Sequence, residues 1–226
     1  MKMGMGMPIP DLSNLPGSSR PGGGGGGVPP SPPSLPKIDN LYSFEFDGVG
    51  SYIDAGDITA LNSLTAFSTS AWINYSGVPS TSTHIFLSGG SGSSNRFYIE
   101  LVGSTTIRYG SGATFDDVTI SSISSGSWHH IVSVHDGTSL DIYLDGVKQN
   151  GSPVTVVAPN TNIGNSFKIG EYFGGSYFWN GYLDEIGLFN IALTQEQVES
   201  IYNATTTGKT ADLSSLSPVA WYRMGD

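Results

Sequence analysis

The sequence predicts an all-β, mostly antiparallel domain, a sandwich or a barrel. One short helix is expected on its C-terminal side, and an extended Gly/Pro-rich arm ahead of it. Three observations lead there. From residue 40 onward, apolar and polar residues alternate in short runs bounded by turn residues, the pattern of half-buried strands. Hydrophobic residues make up 38% of the chain and charged ones only 12%. Ser, Thr, Gly and Asn fill much of the rest, which suits strands and turns better than helices. Residues 1–37 hold nine of the 13 prolines and an unbroken glycine run at 22–27; such a segment cannot bury enough apolar surface to offset its ordering entropy.

Taken in chain order, residues 1–37 form the arm, with extended proline stretches and a flexible glycine joint. Its apolar residues Met7, Ile9, Leu12 and Leu15 are the candidates for anchoring it to a neighbouring subunit. The domain proper is expected over 38–226. Strands are expected at 42–46, 52–54, 66–75, 84–87, 96–102, 106–109, 128–135, 140–144, 154–157, 167–169 and 182–189. Asp145-Gly146 marks a tight hairpin, because both turn positions need positive φ. Asp136-Gly137, Asn150-Gly151 and Asn180-Gly181 punctuate similarly. Thr194 with Gln197 three residues on reads as a capping box, and Val198, Ile201 and Tyr202 recur at helical spacing. That helix should end near Asn203.

Three segments together carry a family resemblance. YSFEFDGVGSYIDAG at 42–56, SWHHIVSVHDGTSLDIYLDGV at 127–147 and FWNGYLDEIGLFNIALTQEQVESIYN at 178–203 resemble, in that order, the opening, the central hairpin and the last strand with closing helix of laminin-G-like, concanavalin-A-like domains. The resemblance covers nearly all of 40–203. It implies a two-sheet antiparallel jelly-roll sandwich of about 12 to 14 strands. Phe67, Trp72, Phe86, Phe97, Ile169, Ile186 and Leu188 are expected between the sheets. The ending SPVAWYRMGD at 217–226 resembles a strand that often begins such domains. Here it either closes the first sheet in shuffled order or begins a continuation.

Charge and composition exclude some functions. The net charge is −10. The arm carries Lys2, Arg20 and Lys37 against Asp11, a net +2, so the body carries −12. An acidic body repels phosphates, and no nucleic-acid partner is expected. Absence of cysteine removes disulfides and thiolate metal sites. No run approaches the ~20 apolar residues that span a bilayer, and the opening MKMGMGMPIPDLSN lacks the apolar stretch of a secretory leader.

Catalysis is not expected. Glycan hydrolysis needs two carboxylates about 5–10 Å apart, and no Glu-x-Asp-x-Glu strand occurs. Asp184 and Glu185 are adjacent, so they should face opposite sides; Asp116 and Asp117 read as loop residues. His129, His130 and His135 on one strand, with His84 elsewhere, lack converging metal ligands. The family resemblance implies a calcium option. Its positions are Asp47, the Gly48 carbonyl and Asp184, with Asp54 and Asp57 nearby; the competing reading is that these carboxylates cap turns. The aromatic stretch EYFGGSYFWNG at 171–181 offers Tyr172, Phe173 and Tyr177 as surface ligand-binding residues, while Phe178 or Trp179 is expected in the core.

Similar endings occur in phage and marine-virus structural proteins of this type. The resemblance therefore implies a non-enzymatic virion structural or decorating protein. Its sandwich would be displayed on the virion surface, and its arm would dock onto other virion subunits or a second copy. The alternative is a lectin-like carbohydrate-binding adhesin that recognises a host-surface polysaccharide, with or without calcium. Fold alone does not decide between them.

Overall fold

In the computed structural model the chain is described for residues 34–77, 83–91, 95–151, 154–155, 164–172, 175 and 177–226. The described strands, in chain order, are β1 Lys37–Asp39, β2 Phe44–Asp47, β3 Ile53–Gly56, β4 Phe67–Tyr75, β5 Thr83–Ser91, β6 Asn95–Val102, β7 Thr106–Ser111 and β8 Thr114–Thr119. After them come β9 His129–His135, β10 Ser139–Leu144, β11 Val147–Lys148, β12 Val154–Thr155, β13 Phe167–Ile169 and β14 Asn180–Phe189, then α1 Gln195–Ala204, β15 Lys209–Ala211 and β16 Ala220–Tyr222. The strands exceed the expected 12 to 14, because β1, β11, β12, β15 and β16 have only two or three residues each.

Two antiparallel sheets make the sandwich. One runs β3-β13-β5-β6-β7-β8; the other runs β11-β10-β9-β4-β14-β16, with β12 on β10 and β2 on β14. The long strand β14 organises the second sheet. One side pairs with β4; the other pairs first with β2 through Asn180 to Leu183, then with β16 through Ile186 to Leu188. The Trp-Tyr segment at the end of the chain therefore completes the edge that β2 begins, which is the shuffled closure.

The core between the sheets is aromatic. Phe67 meets Phe97 edge-on at 5.3 Å, and Phe86 meets Trp179 edge-on at 5.7 Å. Trp179 is fully buried, as are Ile169, Ile186 and Leu188. Each such side chain contributes about 1.5–3 kcal/mol over an exposed one. Trp72 departs from expectation: it is buried, but on the outer face of the eight-stranded sheet. There it stacks on His130 at 5.1 Å and on Tyr202 of α1 at 5.9 Å. That face is not solvated, because α1 covers it, Val198 and Ile201 packing with Val132, Val134 and Phe189. The helix starts where its caps say: Thr194 accepts from the Gln197 backbone and Gln197 reaches back to the Thr194 N–H. No described helix is long and apolar enough to cross a membrane.

Two further expectations change. Asp116 and Asp117 lie on β8, not in a loop. This edge strand is mostly exposed and polar, so its alternation leaves little hydropathy signal. The fold also reaches back before residue 38: β1 pairs with β15, the Asp212 N–H donates to the Pro36 carbonyl at 2.7 Å, and Leu35 packs under α1. The anchoring candidates Met7, Ile9, Leu12 and Leu15 lie outside the described residues.

Candidate functional site

Alternation on β6 builds one face of the molecule. Phe97, Ile99 and Leu101 point into the core, so Arg96, Tyr98 and Glu100 stand on the outer face of the six-stranded sheet. Register then aligns rows across the strands. Asp54, Lys168, Ser88, Tyr98, Gly110 and Phe115 face one another in succession across all six strands. A second row runs Glu100, Arg108 and Asp117. The two sheets thus differ in kind: α1 covers the outer face of one, and the other carries a row of charged and aromatic groups.

This face is held rigid by its own contacts. Arg108 pairs with both Asp117 oxygens at 2.7 and 2.9 Å, lies 3.9 Å from Glu100, and sits 4.1 Å over the exposed Phe115 ring. Lys168 binds Asp54 at 2.6 Å and lies 5.0 Å over the Tyr52 ring. The Tyr98 ring lies directly over Gly110: a Cβ there would come within 1.9 Å of its Cε1. Glycine is what lets the ring lie flat.

The segment after β13 completes the face. Tyr172 meets Tyr98 edge-on at 5.3 Å and Tyr177 at 5.9 Å. Arg96 lies 5.6 Å over Tyr98, donates from Nη1 to the Tyr172 hydroxyl at 2.9 Å, and donates from Nε to the Gly112 carbonyl at 2.7 Å. The outermost ring, Tyr177, is 56% exposed and held at φ +54°, a conformation uncommon outside glycine. The structure thus brings together Tyr172 and Tyr177, two of the three residues singled out for ligand binding. Phe173 lies outside the described residues. Sequence reasoning missed Arg96, Tyr98 and Gly110, because only the β5–β6–β7 register shows that they lie beside that segment.

The calcium candidates are not brought together. Asp47 pairs with Asn180, at the start of β14, and Asp184 is four residues further along, roughly 13 Å away at strand rise. The Asp47 carboxylate closes the turn instead, accepting from the Val49, Gly50 and Ser51 N–H groups at 2.9 to 3.0 Å; these bonds hold its pKa well below the usual carboxylate range. Gly48 serves the same turn at φ +73°, its N–H donating to the Trp179 carbonyl. Asp54 engages Lys168, and Asp57 accepts from the Ser166 N–H at 2.8 Å. Among the described residues no three His, Asp or Glu side chains form a metal-binding group. Chelation with EDTA is therefore expected to leave the melting temperature unchanged. A clear drop would reveal a stabilising cation that these residues do not explain.

Asp184 and Glu185 do not face opposite sides of the sandwich as solvent-facing and core groups. A bulge between Asp184 and Gly187, with Glu185 at φ +47°, breaks the alternation, and both side chains are buried. Asp184 accepts from Asn40 Nδ2 at 3.0 Å, while Glu185 accepts from Trp221 Nε1 at 2.7 Å and pairs with Arg223 at 3.4 Å. Burial, and then the charge of Glu185, raises Asp184 well above its usual value; burial pushes Glu185 up to about 7 against the pull of Trp221 and Arg223. The pair fastens the two ends of the domain to β14. The histidines are likewise engaged. His129 bonds Asp145, His130 bonds Ser70, and His135 accepts from the Gly137 N–H. The His84 side chain lies outside the described ones.

Two stacked antiparallel sheets, a covering helix on one and an open face on the other define a concanavalin-A-type sandwich module. The chain belongs to the concanavalin A-like lectin/glucanases superfamily, whose sequence profile matches residues 47–199. Among solved structures, it is similar to domain 4 of AbnA, a GH43 extracellular arabinanase from Geobacillus stearothermophilus, in complex with arabinotriose. That similarity has a TM-score of 0.58 and 24% identity, over 74% of this chain and 80% of that one. It is similar to a candidate carbohydrate binding protein from Bacteroides ovatus (TM-score 0.57, 16% identity), over 86% of this chain but only 53% of that one. It is also similar to the heptameric SAP-like pentraxin of Limulus polyphemus (TM-score 0.54, 17% identity), over 74% of this chain and 90% of that one. At these identities the likeness concerns the fold. A search of the curated proteins finds no match to this chain.

Proposed function

We propose that this domain is a non-catalytic, lectin-like carbohydrate-binding module that holds a glycan on the outer face of the six-stranded sheet, against Tyr177 and Tyr172. The observation that carries the reading is the exposed Tyr177 ring braced through Tyr172 by Tyr98 and Arg96. A rigid aromatic surface ringed by polar groups suits the apolar face of a sugar at low entropic cost. Two of the similar folds are named for carbohydrate ligands, which supports the same reading. A binding role rather than hydrolysis fits the carboxylates of this face: Asp117, Glu100 and Asp54 are each engaged by a cation, whereas a glycosidase needs an acid and a base or nucleophile free to flank the bond.

The test is glycan-array screening of the full chain, followed by calorimetry on the best ligand. Tyr177→Ala is expected to weaken binding about tenfold, the loss of one stacking partner, with unfolding unchanged because the ring is exposed. Binding by the wild type that is indifferent to both Tyr177→Ala and Tyr172→Ala would move the site elsewhere. A virion-surface role would rest on Met7, Ile9, Leu12 and Leu15, and no described feature favours it.

A further inference from the structure

Among the described residues, strand β2 has one ladder partner, β14, and the phase of that ladder shows which backbone groups it uses. The Gly48 N–H donates to the Trp179 carbonyl, and the Asn180 carbonyl, opposite Asp47, accepts from the Ser76 N–H at the end of β4. Phe44, Phe46 and Gly48 therefore turn their N–H and C=O groups toward β14, and Glu45 and Asp47 turn theirs away. No described backbone group pairs with these four. A cavity of about 460 Å³ runs along the strand, lined by residues 44–47 and by Gly50, Ser51 and Tyr52. It touches the core-facing Phe44 and Phe46 and the outward Glu45 and Asp47 alike, so it lies at the open edge. Of the eight large apolar residues left exposed among those described, four bracket this edge: Leu41, Tyr42, Val49 and Tyr52. An unpaired edge flanked by apolar surface is a template for an added strand.

The sequence ahead of the described domain contains one stretch with the matching pattern. In MPIPDL at 7–12, prolines occupy alternate positions, Pro8 and Pro10. Proline has no N–H to give a ladder and is confined to strands whose N–H side faces away. We infer that residues 7–12 of the same chain dock beside β2 as an added edge strand. Alternate residues of a strand turn their backbone groups to the same side, so Pro8 and Pro10 turn away together. Met7, Ile9 and Asp11 are left to pair with Glu45 and Asp47. The prolines then form the new outer edge, which offers no N–H at those positions to a further strand.

Length selects the same chain over a second copy. The 24 residues 13–36 join the segment to β1, and a Gly-rich chain of that length spans about 27 Å root-mean-square. Asp39, the end of β1, is five residues from Phe44 and so at most about 18 Å from it. The segment is thus tethered at an effective concentration on the order of 1 mM, far above that of a protein in micromolar solution. Residues 1–33 carry Lys2 and Arg20 against Asp11, and the acidic body attracts them.

The experiment follows backbone amide exchange by NMR in the full chain, as wild type, Ile9→Pro and Pro8→Ala. Ile9→Pro removes an N–H from the side that pairs, whereas Pro8→Ala adds one on the side that does not. Both changes precede the first described strand, so the sandwich itself is left intact. The expected result is that the Glu45 and Asp47 amides exchange about tenfold or more slowly in wild type and Pro8→Ala than in Ile9→Pro. The Phe46 amide, turned toward β14, stays protected in all three and serves as the control. Equal exchange of Glu45 and Asp47 in wild type and Ile9→Pro overturns the inference. So does a Pro8→Ala variant as unprotected as Ile9→Pro, because the prolines would then not face away. Protection that disappears on dilution, together with a dimer in light scattering, also overturns it, since the occupant is then a second copy.

Discussion

Gly110→Ala is expected to abolish glycan binding and to destabilise the domain by about 2 kcal/mol, the usual scale for forcing one extra group into a packed site. The reason is local. The backbone at Gly110 is not in the left-handed region, so alanine is tolerated there by the chain itself; the obstacle is the Tyr98 ring, 1.9 Å from the new Cβ. Tyr98 is only 6% exposed, and moving it withdraws both the edge contact under Tyr172 and the ring beneath Arg96. Gly50→Ala is the control, since a Cβ there meets nothing within 4 Å and should change stability by less than about 0.5 kcal/mol. Urea unfolding and glycan titration of the two variants test this. If Gly110→Ala binds like the wild type, Tyr98 does not support the site.

The second large effect is a pH dependence of stability that resides in Glu185. Its pKa stands at about 7 in the folded domain against an ordinary 4.5. The folded state therefore holds a proton there that the unfolded chain releases. This contribution is fully present below pH 4.5 and is lost as pH rises through about 7, on the order of 3 kcal/mol. Burial drives the Glu185 shift and the charge of Asp226 reinforces it, while Trp221 and Arg223 oppose it; Asp184 is raised in the same direction, by burial and by the charge of Glu185. His130 works the other way. Buried and neutral with a pKa lowered to about 4, it costs stability as pH falls below about 6.5. The whole-protein profile mixes these trends, but the difference between wild type and Glu185→Gln isolates one. Relative to wild type, the variant is expected to gain about 3 kcal/mol on going from pH 5 to pH 8, read from urea unfolding at each pH. A difference that does not change with pH would show that Glu185 ionises normally in the fold.

How much of this was legible beforehand depends on where the information sits. The strands with a core on one side and solvent or a helix on the other, β4, β6, β9, β10 and β14, were readable because alternation records burial. The helix was readable from Thr194 and Gln197, since a capping box is a local hydrogen-bond exchange. Strand β8 was not, because both its exposed positions and its single deeply buried Val118 lie in a polar run at a sheet edge. The bulge at Asp184–Gly187 was not, because nothing in DEIG announces a residue at positive φ. That one unpredicted residue turned two carboxylates, read as opposite-facing, into a buried pair.

The candidate site divides the same way. The sequence by itself determined the sandwich class, the order of its main strands, the acidic body and the unusual aromatic content of 171–181, because these are properties of neighbours along the chain. Only the tertiary structure decided that Asp47 and Asp184 stand apart along β14, and that Trp72 packs under the helix rather than between the sheets. It also decided that Arg96, Tyr98 and Gly110 lie beside Tyr172 and Tyr177. These depend on which strands distant in sequence lie side by side, as where Lys168 of β13 meets Ser88 of β5. Register is fixed by the packing of the whole core and leaves no local trace in the chain.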